Sequence, residues 1–165
     1  MKTLFQTTIA IAAFALAGLT AGAAFAATVV NVSLWDKGAG ATMGTDLMYA
    51  TPGAKNMAAA TMGVKVSVPS APAGVVTFHV TNDSKDTIHE MIVMYLADPS
   101  QPLPYVAADS KVDEDKAGDK GEVSELDPGA SGSLTVVRKP GKYLLICNVA
   151  GHYAAGMWTE FEVTK

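Results

Sequence analysis

The chain has 165 residues, with 12 Lys and Arg set against 16 Asp and Glu, for a net charge of −4. No basic patch or aromatic–basic interleaving recommends a nucleic-acid partner. The single cysteine excludes an intramolecular disulfide. In an oxidising compartment that lone thiol must be buried or committed to a ligand.

Chain order begins with an export signal. Lys2 gives a short positive start, residues 9–19 form an uncharged apolar core, and Ala24-Phe25-Ala26 supplies the small-x-small cleavage pattern. The apolar core is short for a bilayer span and has no charged stop-transfer flank. Residues 1–26 are therefore expected to be a signal peptide, with no membrane span after its removal. Residues 27–165 are expected to form one periplasmic domain.

Strand signals dominate that domain. Residues 28–34 are β-rich, Val64-Lys65-Val66-Ser67-Val68 alternates before Pro69, and residues 75–81 form a strand after the turn Ala71-Pro72-Ala73-Gly74. Residues 89–96 are apolar almost throughout, as a central strand buried on both sides requires. Residues 131–137 and 142–147 give two more strands, and alternating residues 158–163 close the chain. About seven to eight short strands between Gly, Pro and Asn turns predict an all-β antiparallel sandwich.

Two stretches lie outside that pattern. Residues 36–62 are rich in Gly, Ala and Met, with a short helix expected over 56–61. Residues 99–125 form a long, increasingly acidic excursion. Both are expected to be surface connections. Between residues 109 and 127, eight acids stand against three lysines, holding essentially the whole negative excess.

Chemistry concentrates near the C-terminus. Cys147 ends a strand, His152 follows five residues on, and Met157 five after that. Gly151, Ala154, Ala155 and Gly156 make the intervening loop able to fold back on itself. Thiolate, imidazole and thioether together form a copper-selecting set lacking one imidazole, and His89 is the candidate to complete it. The alternatives at these positions are a packed core cysteine, a core histidine satisfied by backbone, and a methionine that merely fills space. His79, between Phe78 and Val80, reads as a surface or structural residue, and Met91 and Met94 as core. Met43, Met48, Met57 and Met62 read as adaptable packing over one end of the sandwich, with soft ligation of cuprous ion as the alternative.

The stretch Gly141-Lys142-Tyr143-Leu144-Leu145-Ile146-Cys147, continuing through Gly151-His152 to Gly156-Met157, resembles the signature of the cupredoxins, the type 1 copper family. Its Cys-x4-His-x4-Met spacing is most similar to the longer-loop, rusticyanin-like members. Asn82-Asp83-Ser84-Lys85-Asp86-Thr87-Ile88-His89 matches the region that opens the upstream ligand strand there. The resemblance implies a Greek-key β-sandwich with a long N-terminal extension and an acidic loop insertion. It also implies one type 1 copper ion held by His89, Cys147 and His152, with Met157 axial. Where many members carry Asn or Ser after the first histidine, this chain has Glu90. Its backbone N–H is expected to reach the Cys147 sulfur, while its side chain is expected to face outward or meet a loop hydroxyl.

The implied function is single-electron transport in the periplasm, not catalysis, since a second copper centre would need histidines that the chain lacks. The electron is expected to pass through the edge of His152, with Tyr153, Ala154 and Ala155 as an apolar docking patch. A cytochrome c or a terminal oxidase or reductase is the expected redox partner, steered by the acidic excursion. The protein is expected to be monomeric. The alternative is a periplasmic copper-binding or copper-resistance protein that stores or transfers the metal.

Overall fold

The computed structural model describes residues 27–165, so the expected signal over residues 1–26 lies outside the described residues. Eleven strands are present among them. The first three are β1 (Thr28–Asp36), β2 (Met62–Val66) and β3 (Ser70–Pro72). They are followed by β4 (Gly74–Asn82), β5 (His89–Tyr95), β6 (Tyr105–Val106) and β7 (Lys111–Val112), and then by β8 (Asp119–Leu126), β9 (Ser131–Arg138), β10 (Gly141–Ile146) and β11 (Trp158–Thr164). A four-stranded sheet, ordered β2-β1-β4-β9, faces a five-stranded sheet, ordered β3-β11-β10-β5-β8. Pairing is antiparallel except between β1 and β4 and between β3 and β11.

Strict alternation builds the sandwich core. Val30, Val32 and Leu34 of β1 and Val76, Phe78 and Val80 of β4 point inward from one sheet. Met91 and Val93 of β5, Tyr143 and Leu145 of β10, and Phe161 and Val163 of β11 meet them from the other. Phe78 and Phe161 pack edge to face across the gap, 5.3 Å between centroids.

Strands β5 and β10 are apolar on both faces because the five-stranded sheet is covered twice. Its outer face carries Ile92, Met94, Leu144 and Ile146, buried beneath Tyr49, Leu103, Val112, Ala117 and Tyr153. The two irregular stretches are thus partly structural and not simply surface connections. Their apolar residues are too sparse to show a period, yet Tyr49 Oη donates to Pro99 O at 2.7 Å and Trp158 Nε1 to Leu47 O at 2.7 Å. The second bond fastens the first stretch to the sheet at Trp158, and the first ties the two stretches together.

Within the acidic excursion, β6 and β7 pair, the one-turn helix α1 (Glu114–Ala117) follows, and β8 then joins the sheet edge beside β5. Only Val123 of β8 is buried, so its run of outward acids concealed a strand. Charged outward residues suit an unpaired edge. The expected helix over 56–61 is instead a 3-10 helix at Pro52–Ala59, begun by Pro52 at a position where proline's missing N–H loses no bond.

Candidate metal centre

Four segments converge at one end of the sandwich. Buried Asn82 pins the turn after β4, giving its side-chain amide to Thr87 O at 2.9 Å and Leu126 O at 2.8 Å and accepting Ser84 N–H at 3.0 Å. That turn delivers His89 as the first residue of β5. Cys147 follows the last residue of β10, and its N–H donates to Met157 O at 3.0 Å, closing the ligand loop at its neck. Inside the loop, Gly151 and Gly156 take φ of +84° and +94°, which a side chain would strain. Met157 N–H reaches His152 O at 3.0 Å. Cys147, His89 and Met157 are wholly buried and His152 nearly so.

Three donor atoms face each other. His89 Nδ1 lies 3.2 Å from His152 Nδ1, and Cys147 Sγ lies 3.9 Å from His89 Nδ1 and 3.4 Å from His152 Nδ1. A point equidistant from all three is about 2 Å from each, the distance at which imidazole nitrogen and thiolate sulfur bind a transition metal. The residues therefore fit a single ion. Their mix of one soft sulfur and two imidazoles is the set that suits copper.

The electrostatics suit a metal-free site as well as a loaded one. Burial pushes the Cys147 thiol up to about 12, only partly opposed by the N–H groups of Glu90 and Val149. Burial, with the neighbouring His89, brings His152 down to about 4, and burial likewise lowers His89 against the pull of Asp36. Without metal, the pocket thus holds three neutral groups at neutral pH. A metal must displace the thiol proton to bind.

The surrounding shell holds residues that sequence reasoning missed. His89 Nε2 lies 2.8 Å from Asp36 Oδ2. Burial raises the Asp36 carboxyl, but bonds from Ser84, Gly38 and His89 outweigh it and leave it below its ordinary value. A lone Asp at a strand end gives no sequence signal for this role. Asn148, beside the cysteine, exchanges two side-chain bonds with the Val112 backbone at 2.7 and 3.0 Å and donates to Glu114 at 2.7 Å. Through Asn148 the acidic excursion is tied to the ligand loop.

Glu90 fulfils one expectation and overturns another. Its N–H points at Cys147 Sγ, at 3.5 Å. Its carboxylate faces inward, buried, where Oε1 accepts the backbone N–H of Asn148 at 3.1 Å. That N–H opens the ligand loop and would otherwise be unsatisfied, which draws the side chain in. Burial, followed by Glu114 and Glu122, pushes its carboxyl up to about 7.

The expected docking patch is also corrected. Tyr153, Ala154 and Ala155 are buried, because the N-terminal stretch lies over them and Leu47 N–H bonds Ala154 O at 2.9 Å. His152 is 5% exposed, on the wall of a cleft of about 310 Å³ shared with Asp36, Met43, Met62 and Thr87. Of the methionines, Met62 joins the core and Met57 packs against the Gly156 backbone, while Met43 remains 44% exposed. Met91 and Met94 are core, and exposed His79 bonds Ser133 Oγ at 2.8 Å, both as expected.

Comparison with known proteins places this geometry. Residues 47–165 match the sulfocyanin (SoxE) domain family. The chain belongs to that family. It is a cupredoxin, and its two-histidine, one-cysteine cluster is typical of a type 1 blue-copper electron-transfer site. The sulfocyanin fold here resembles several solved structures. Dithionite-reduced auracyanin from Roseiflexus castenholzii is 18% identical, over 85% of this chain and 98% of its own, at a TM-score of 0.51. Rusticyanin from Thiobacillus ferrooxidans is 16% identical, over 84% and 79%, at 0.52. Auracyanin A, a "blue" copper protein from Chloroflexus aurantiacus, is 18% identical, over 84% and 99%, at 0.50. No curated protein matches the chain. Among the described residues, no helix is long and apolar enough to cross a membrane.

Proposed function

We propose that this sulfocyanin-family chain is exported to the periplasm as a single domain over residues 27–165 and carries electrons one at a time on one type 1 copper ion. Cys147, His89 and His152 would hold the ion, and Met157, buried in the same core cluster as Cys147, would offer its thioether to it. The longer-loop spacing of Cys147, His152 and Met157 aligns the chain with rusticyanin-like members. The observation that carries the reading is the buried, closed triangle of Cys147 Sγ and the two Nδ1 atoms. A bound copper ion supplies one-electron chemistry there.

The protein's part is to hold geometry through the change of charge. The Cys147 N–H bond to Met157 O and the Glu90 N–H on Sγ keep the thiolate in place. The Asn148 bonds anchor the start of the loop, and the inner core around Cys147 keeps water from the sulfur. Donors that do not move between states favour rapid exchange of an electron. Passage through His152 into its cleft, beside exposed Met43, gives a covalent exit. The acids of α1 and β8 would steer a basic partner such as a cytochrome c, with a terminal oxidase or reductase at the other end of the exchange. A monomer suffices for this work.

Storage or handover of copper is the competing reading, and the burial of all four donors argues against it, since handover requires an incoming ligand to reach the metal. Protein-film voltammetry combined with chelator challenge separates the two. A reversible one-electron wave and slow copper loss support the carrier. Rapid loss of cuprous ion to a modest chelator, with no reversible wave, would favour handover.

A further inference from the structure

His89 is held from both sides of its ring. Nδ1 faces Cys147 and His152, and Nε2 faces Asp36 Oδ2 at 2.8 Å. Asp36 is itself fixed: it ends β1 opposite Met62, its Oδ1 accepts Gly38 N–H at 2.7 Å, and its side chain is 4% exposed. An ionised carboxylate can only accept, so Nε2 must carry the proton and Nδ1 must present its lone pair. The pairing joins residues 53 positions apart, and Asp36, unlike His89, lies outside the stretch matched to the family, which begins at residue 47.

We propose that Asp36 is a positioning residue for the metal centre: its carboxylate locks His89 as an Nδ1 ligand, and its negative charge behind the ring favours the cupric over the cuprous state. The second half rests on the copper reading above, whereas the first concerns the metal-free protein alone. A hydrogen-bonded carboxylate raises the basicity of a ligating imidazole and fixes its tautomer, and loss of such a partner commonly weakens metal binding about 10–100-fold. An anion close to the ion stabilises its higher charge more than its lower, so removing it raises the reduction potential. The N-terminal extension thereby becomes part of the redox centre and not only a cover for it.

The variants Asp36→Asn and Asp36→Ala separate orientation from charge. In Asp36→Asn the amide oxygen still accepts from Nε2, so His89 keeps its tautomer and the visible band survives. Cupric affinity falls about tenfold relative to cuprous, which raises the potential by about 59 mV. In Asp36→Ala the ring loses its partner, the tautomer is no longer fixed, and cupric affinity drops towards about 100-fold. Imidazole 15N shifts of metal-free wild type give a readout independent of copper and of any variant's folding. His89 protonated at Nε2 supports the assignment, and protonation at Nδ1 overturns it. Unchanged potentials and affinities in both variants, with a wild type that shows the copper band, would overturn the tuning role. A wild type with no band would overturn the copper reading and the tuning with it, while the 15N result would still decide the positioning.

Discussion

Replacing Glu90 by Gln removes a buried charge while keeping an oxygen for the Asn148 N–H, at 3.1 Å in the wild type. The Glu90 carboxyl sits at about 7 in the folded chain against an ordinary 4.5, chiefly through burial and then through Glu114 and Glu122. That separation converts to about 3 kcal/mol. The sign follows from proton binding. Between the two values the folded chain holds the proton that the unfolded chain has released, so stability falls as pH rises through this window and levels off above it. In metal-free protein, His89 and His152 act oppositely, because their lowered values make stability rise with pH. Both histidines remain in Glu90→Gln, so subtracting the two profiles isolates the carboxylate. Urea melts of the metal-free proteins at about pH 4 and about pH 8 should show the variant gaining about 3 kcal/mol over wild type across that range. For a chain of this size, this corresponds to a rise of about 10 °C in relative Tm. A difference between variant and wild type that is the same at both pH values would refute a buried, protonatable Glu90.

Three further outcomes are expected. Gly156→Ala forces a side chain onto φ of +94° and within 3.2 Å of the Ala60 Cβ, and it should lower stability by about 1–2 kcal/mol in a denaturant titration. Trp158→Phe leaves Leu47 O without its donor and should lose about 1 kcal/mol, with the N-terminal stretch showing the largest gain in amide exchange. Because the Cys147 thiol is pushed up to about 12 and both histidines are neutral, cupric binding at neutral pH should release about one proton, measurable by calorimetry in buffers of different ionisation enthalpy.

The candidate donors were the most legible part of the site because their chemistry is rare and clustered. One cysteine, a histidine and a methionine in a glycine-bearing loop leave few combinations, and His89 stood at the head of an unusually apolar strand. The sandwich was legible for a related reason: β1, β4 and β9 alternate, and β5 is apolar on both faces. What escaped was whatever depends on contacts distant in sequence. Asp36 looks like any aspartate at a turn until β1 brings it against His89. Strand β8 has a single buried side chain, so its acids read as solvated loop. Tyr49, Leu103 and Val112 are scattered, and only the fold assembles them into a second layer. That layer and the Leu47 N–H bond to Ala154 O explain why Tyr153 and Ala154 are covered, where the family resemblance implied an open patch.

The visible absorption spectrum of the protein over residues 27–165, titrated with cupric ion alongside Cys147→Ala, tests the central claim most directly. An intense thiolate-to-copper charge-transfer band that saturates at one equivalent, absent from the Cys147→Ala protein, is the predicted result. A folded wild type that binds no cupric ion, or binds it without that band, would contradict a type 1 centre built on Cys147, His89 and His152.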